Sequence, residues 1–279
     1  MQQPIRFAIN RISAPNMSYA DFAAMSKRLG VGAVEIRNDL KGVELVDGTP
    51  AKQVGDVTAG NGLTLRSINA LQRFEQFDAA REAEAVALAK YAVDSGTQAL
   101  VLCPTNDTRD ARSADQRHAD LVNALRKLQP ILADHGITGL VEPLGFEECA
   151  VRRKSQAVRA FDELGAQAVT TFKLVHDTFH HHLAGEGLFV AEWTGLVHIS
   201  GVDDKAVTVA EMRDGHRVLV GAADRLGNVA QLRTLFAAGY AGFASFEPFA
   251  AEIAAAKDIE KQLASSMAYL QDAVSGAAH

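Results

Sequence analysis

The 279-residue sequence predicts a (β/α)8 barrel, and three features of the chain point to it. Short β-type apolar runs alternate with longer amphipathic stretches, eight times over, at a spacing of roughly 30 residues. Several runs, Ala99–Cys103 (A-L-V-L-C) above all, are continuous rather than alternating, which suits parallel strands covered on both faces. No glycine-rich fingerprint of a doubly wound nucleotide-binding sheet follows the first strand, and no low-complexity linker divides the chain. Residues 1–279 therefore read as a single barrel domain.

Taken in order, Ile5–Asn10 is the first strand, followed by a helix from Ser18 to Leu29 with Ser18 as N-cap and Asp21 at the capping-box position. Gly30 ends it. Ala33–Arg37 is the second strand, and Pro50–Asn61 a helix closed by Gly62. Thr64–Asn69 forms the third strand, and Asp78–Ser95, rich in Ala, Glu and Lys, a helix terminated by Gly96. Ala99–Cys103 stops at Pro104, and Ser113–His135 is a long helix ended by Gly136. Ile137–Glu142, Thr170–Asp177, Thr194–Ser200 and Ala241–Glu247 supply the fifth to eighth strands. Helices are expected over Ser155–Leu164, Val229–Ala238 and Ala251–Val274. Val202–Asn228 is longer, charged and glycine-containing, and reads as a functional loop after strand seven.

Composition narrows the function. The chain is 48% hydrophobic, with 28 basic and 34 acidic side chains and a net charge of −6, which argues against a nucleic-acid partner. No run of about 18 apolar residues is present to span a membrane. No secretory pattern is visible at the N-terminus, and Cys103 and Cys149 are too few for a disulfide framework, so the expected compartment is the reducing cytoplasm.

The chemistry lies at the ends of the late strands. Strand five ends in Glu142, strand six in Asp177, strand seven carries His198, and strand eight ends in Glu247. None of these spacings belongs to a local motif. They make sense if the strand ends converge at the C-terminal mouth of a barrel. Three carboxylates and an imidazole form an oxygen-rich ligand set for one divalent cation, with Mn, Zn, Co and Mg all compatible. Brought together without a cation, the carboxylates would repel, and at least one would have its pKa raised. Each residue also has a plainer reading: Asp177 as a helix cap, Glu142 and Glu247 as solvated loop carboxylates, His198 as an interior histidine.

The motifs V-E-P-L-G at Glu142, H-D-T-F-H-H-H at Asp177, V-H-I-S at His198 and S-F-E-P-F at Glu247 resemble those of the xylose-isomerase-like TIM-barrel superfamily. Within it they are most similar to inosose (2-keto-myo-inositol) isomerases and related sugar isomerases and epimerases. The resemblance spans nearly the whole chain in element order, and the D-x-F-H pattern at Asp177–His180 is its sharpest part. It implies one divalent metal held by Glu142, Asp177, His198 and Glu247, chelating the carbonyl and adjacent hydroxyl of a polyhydroxy ketone. It further implies that Glu142 and Glu247 shuttle a proton through an enediolate, and that His180 and Arg217 contact the substrate. The implied activity is isomerisation, with 2-keto-myo-inositol the favoured substrate and a ketose 3-epimerase or inosose dehydratase as neighbouring alternatives.

One departure falls after Arg217, where relatives usually carry Pro-Gly-x-Gly and this chain has Val220-Gly221-Ala222-Ala223-Asp224. A sugar-binding barrel without turnover is a rival on that account. An apurinic-site endonuclease is disfavoured, because strands one to four offer Asn10, Glu35, Asn69 and Cys103 and no histidine for a metal cluster. Glu35, Arg37, Asn10 and Asn69 point at the same mouth, where internal ion pairs or strand-end hydrogen bonds account for them equally well. His176 alternates away from Asp177 and reads as a packing residue, and His181 and His182 as surface or loop side chains. A homodimer is the base-rate expectation for assembly.

Overall fold

The computed structural model describes residues 4–276. Its strands are β1 (Arg6–Asn10), β2 (Ala33–Arg37), β3 (Thr64–Gln72), β4 (Ala99–Cys103), β5 (Thr138–Val141), β6 (Phe172–Asp177), β7 (Thr194–Ile199) and β8 (Phe243–Phe246). They pair in sequence order, all parallel, and β8 closes on β1. Closure removes the unpaired sheet edges that a parallel sheet of this size would otherwise expose.

The helices are α1 (Tyr19–Arg28), α2 (Ala51–Gly60), α3 (Ala79–Ser95), α4 (Ala114–Asp134), α5 (Lys154–Leu164), α6 (Ala166–Thr171), α7 (Thr178–Ala184), α8 (Asn228–Ala237), α9 (Ala251–Ala254) and α10 (Ile259–Ser275). Ser18 caps α1 by accepting from the Asp21 amide at 3.1 Å, as the sequence predicts. Gly96 takes the left-handed conformation (φ 72°) that ends α3 and returns the chain toward β4. Among the described residues no helix is long and apolar enough to cross a membrane.

Two expectations need correction. Thr170 and Thr171 finish α6 rather than open β6, because Gly165 (φ 70°) reverses the chain into a helix too short to show a period. The last helical stretch is broken: α9 stops at Ala254, and α10 begins only after Asp258. The plainer reading of Asp177 as a helix cap is met as well: the seven-residue α7 starts on Asp177 itself.

Strand alternation sorts the side chains into two environments. Outward-facing Ile9, Val34, Ile36, Leu100, Leu102, Val141, Leu174, Val197, Ile199 and Phe246 belong to the main core between sheet and helices. The intervening positions Ala8, Ala33, Ala99, Val101, Leu140, Val175, Leu196 and Phe243 form a separate apolar cluster within the barrel. The next inward position on β1, β2 and β4 to β8 is Asn10, Glu35, Cys103, Glu142, Asp177, His198 and Ser245 in turn. An apolar plug thus fills the lower barrel, and a buried polar layer lies above it at the C-terminal ends of the strands.

Candidate metal centre and active-site pocket

Each predicted ligand is delivered by the end of its strand. Glu142 follows β5, with its amide donating to the Leu102 carbonyl of β4 at 3.1 Å. Asp177 closes β6 and caps α7: Oδ1 accepts from the Phe179 and His180 amides at 2.7 and 3.0 Å, leaving Oδ2 to face inward. His198 sits on β7 and Glu247 follows β8, whose register against β7 pairs His198 with Ser245. One ligand atom from each of Glu142, Asp177, His198 and Glu247 lies within 4.8 Å of all the others, and all four residues are buried.

The polar contacts of this layer are specific. His198 Nδ1 lies 2.9 Å from Glu142 Oε1 and 3.1 Å from Glu247 Oε2. Its Nε2 lies 3.1 Å from Glu35 Oε2 on the far side of the ring. Glu247 Oε1 accepts from Asn10 Nδ2 at 3.2 Å and Arg37 Nη1 at 2.8 Å. Arg217 Nη2 reaches Asp177 Oδ2 at 2.6 Å and Glu247 Oε2 at 2.9 Å. Arg217 is further fixed by Ser200 Oγ at 3.0 Å and Asp214 Oδ1 at 3.1 Å, and lies between the Phe179 and Phe249 rings. Glu142 Oε2 meets only the Cys103 thiol, at 3.4 Å.

The electrostatics follow from burial set against neighbours. Burial alone would depress the His198 pKa, but the carboxylates of Glu247, Glu35 and Glu142 outweigh it and hold the imidazole well above its ordinary value. Burial would likewise raise Glu247, yet His198, Arg217 and Arg37 hold it well below the usual carboxylate range. The site is therefore built around cations. Three carboxylate oxygens and the Nδ1 of a neutral imidazole, converging in a buried layer, fit a divalent ion of intermediate hardness, which would displace the Nδ1 proton. Arg217 Nη2, bridging two of the four donors, already brings a positive charge to that point.

The ligand cluster opens into a cavity of about 440 Å3, lined by Glu142, Glu247, Arg37, Asn69, Arg73, Asn106, His180 and Arg217 and on its apolar side by Leu144, Phe146 and Phe249. His180 is 4% exposed, and its Nδ1 is buried with no hydrogen-bond partner among the described residues. A buried polar atom left unsatisfied costs on the order of 1–3 kcal/mol, which a partner reaching it would recover. Its ring is held edge-on by Phe146 and Phe179.

The four predicted ligands thus converge on one point, and Glu142, Glu247, His180 and Arg217 also line the cavity, whereas Asp177 and His198 lie behind its wall. Sequence reading left Arg37 and Asn10 open, and both support Glu247. It left Glu35 open in the same way, and assigned no task to Cys103, Phe146 or Phe249. The signal for Glu35 was its parity with Ala33 and Arg37, which places it on the inward face. His176 does face outward, bonding Lys154 Nζ at 3.0 Å and Gln231 Oε1 at 2.8 Å. His181, expected as a loop side chain, is partly buried and also bonds Lys154, at 2.9 Å.

The fold and the strand-end site define a closed (β/α)8 barrel with a candidate metal centre at its C-terminal mouth, and comparison with known proteins gives the family. The chain belongs to the xylose isomerase-like TIM barrel family, whose model matches residues 23–273. A xylose isomerase domain-containing protein of Salmonella typhimurium LT2 is 33% identical, with a TM-score of 0.88 over 97% of this chain and 98% of that one. The IolI protein, solved with a bound zinc atom, is 19% identical at a TM-score of 0.85, covering 98% and 99% of the two chains. D-psicose 3-epimerase of Clostridium cellulolyticum H10, solved with D-tagatose, is 14% identical at a TM-score of 0.75, covering 97% and 99%. At those identities the last two likenesses speak for the fold alone. No curated protein matches the sequence.

Proposed function

We propose that the protein is a divalent-metal-dependent isomerase of a polyhydroxy ketone, with 2-keto-myo-inositol the favoured substrate. The observation that carries this reading is the convergence of Glu142, Asp177, His198 and Glu247 beside a polar cavity lined in part by His180 and Arg217. A divalent ion held by those four residues would supply Lewis acidity toward the ketone carbonyl and its neighbouring hydroxyl.

The chain's own groups supply the rest. Phe249, Phe146 and Leu144 offer apolar surface to the C–H face of the substrate, while Asn69, Asn106 and His180 offer hydrogen bonds to its hydroxyls. Glu142 is the better placed of the two glutamates to accept the proton from carbon, because Oε2 meets only a thiol. Both oxygens of Glu247 are occupied by Asn10, Arg37, Arg217 and His198, which hold it ionised and without a proton to give, so Glu142, protonated in the first step, is assigned the return of the proton to the neighbouring carbon as well. Burial of the whole layer keeps bulk water from the developing carbanion.

The test is proton NMR of the purified protein in D2O with 2-keto-myo-inositol, with and without chelator. The expected result is chelator-sensitive deuterium incorporation beside the ketone with a new isomer appearing. Loss of water would instead identify a dehydratase. Exchange with ketohexoses but not with the inosose would identify a ketose epimerase. Metal uptake without exchange into any of these ketones would leave a binding barrel.

A further inference from the structure

Glu35 is a carboxylate at the centre of the barrel, 0% exposed, and among the described residues no lysine or arginine is bonded to it. It accepts from Ser67 Oγ and Asn69 Nδ2 of β3 and from Ser245 Oγ of β8, and its Oε2 stands 3.1 Å from His198 Nε2. Taking a carboxylate out of water costs several kcal/mol, so a well-packed core has no reason to keep one unless its charge serves something. The three neutral donors leave Glu35 ionised and oriented, and its remaining partner is the imidazole.

An ionised carboxylate only accepts hydrogen bonds, so Nε2 must carry a proton, and in a neutral ring the lone pair then lies on Nδ1. Nδ1 is the nitrogen that faces Glu142 and Glu247. We propose that Glu35 is a positioning residue of the metal centre, fixing His198 in the Nε2–H tautomer so that Nδ1 is the ligand, and strengthening that ligand through the carboxylate–imidazole hydrogen bond. The inference rests on the proposed metal-binding reading of the site, and assigns to β2 a task that none of the four strand-end ligands performs.

The substitution that isolates this role is Glu35→Gln, which keeps size and shape but removes the charge. A glutamine either offers Nε2 a weaker acceptor or turns its amide toward the ring and drives the proton to Nδ1. The experiment uses the full chain stripped of metal, with zinc affinity measured by competition against a chromophoric chelator. Thermal melts of the metal-free wild type and variant check that both are folded. Zinc is expected to bind E35Q about 10–100-fold more weakly than wild type.

A second measurement needs no variant. Long-range 1H–15N spectra of the zinc-loaded wild type, with His198 assigned by its loss in H198N, are expected to show the proton on Nε2 and zinc on Nδ1. E35Q binding zinc as tightly as wild type would overturn the inference alone, as would zinc on Nε2. A wild type that takes up no zinc would bring down the metal-binding reading together with it.

Discussion

Arg217 Nη2 and Asp177 Oδ2 lie 2.6 Å apart, joining the loop after β7 to the end of β6 across 40 residues of chain. Both groups are buried, and Nη2 simultaneously holds Glu247, so one guanidinium neutralises two of the four converging donors. Removing one partner from a buried pair leaves an uncompensated charge, at a cost of about 3–5 kcal/mol. Arg217→Ala is therefore expected to lower the melting temperature of the metal-free protein sharply. A bound dication supplies the missing positive charge, so zinc should raise the melting temperature of R217A by more than it raises that of the wild type. Calorimetric melts with and without zinc measure both gains, and equal gains would mean that Arg217 and the metal do not share these carboxylates.

Asp177 carries two tasks that can be separated. Oδ1 caps α7 and Oδ2 faces Arg217 and the other donors. Asp177→Asn keeps an acceptor for the cap but loses the anion, whereas Asp177→Ala loses both. Metal-free D177A is expected to be less stable than D177N by about 1 kcal/mol, the usual worth of a cap. Zinc affinity should fall at least about tenfold in both, because each lacks an anionic ligand. Wild-type affinity in D177N would remove Asp177 from the ligand set.

The contrast between Asp177 and Glu35 explains how far the sequence could be read. Asp177 ends an apolar run, and a strand that stops in a carboxylate has a visible place at the barrel mouth. The same logic found Glu142, His198 and Glu247, since one rule covers every strand end. Glu35 lies inside the strand A-V-E-I-R, and its partner His198 is 163 residues away on a strand with which β2 does not pair. Only closure of the barrel brings them together. The short helix α6 was illegible for another reason: six residues are fewer than two turns, too few to establish a helical period, and α7 was legible only through its cap, Asp177.

Lys154 gives a pH dependence outside the metal centre. Burial holds its pKa down to about 8 from 10.5, while its Nζ lies against His176 and His181. Between these values the unfolded chain keeps the proton and the folded protein does not. Stability contributed by this group should therefore rise with pH through that window, by at most about 1.4 kcal/mol per pH unit. His181 is held down to about 3, first by burial and then by the Lys154 ammonium, so stability should fall as pH drops from 6.5 toward that value. Lys154→Met removes the first slope and makes the second shallower. Urea denaturation of wild type and K154M across pH 4–10 reads the difference, and parallel curves would show Lys154 to titrate as an exposed lysine.

Gly145 tests how firmly α7 is seated. It lies in the loop after β5 with φ 67°, and a Cβ there would collide with the backbone carbonyl of His180. The loop has little room to yield, since the Gly145 amide donates to the Arg152 carbonyl at 3.1 Å and Arg152 Nε donates back at 2.9 Å. Gly30 has a similar φ of 72° but open space around its missing Cβ. Gly30→Ala should therefore cost only the left-handed penalty of about 1–2 kcal/mol. Gly145→Ala should cost that and also push α7, with His180, out of its place in the cavity wall. The expected outcome is a larger fall in melting temperature for G145A than for G30A, accompanied by a raised KM for the ketose in G145A alone. Equal falls with unchanged KM would mean that α7 shifts without cost and that the position of His180 does not matter to the substrate.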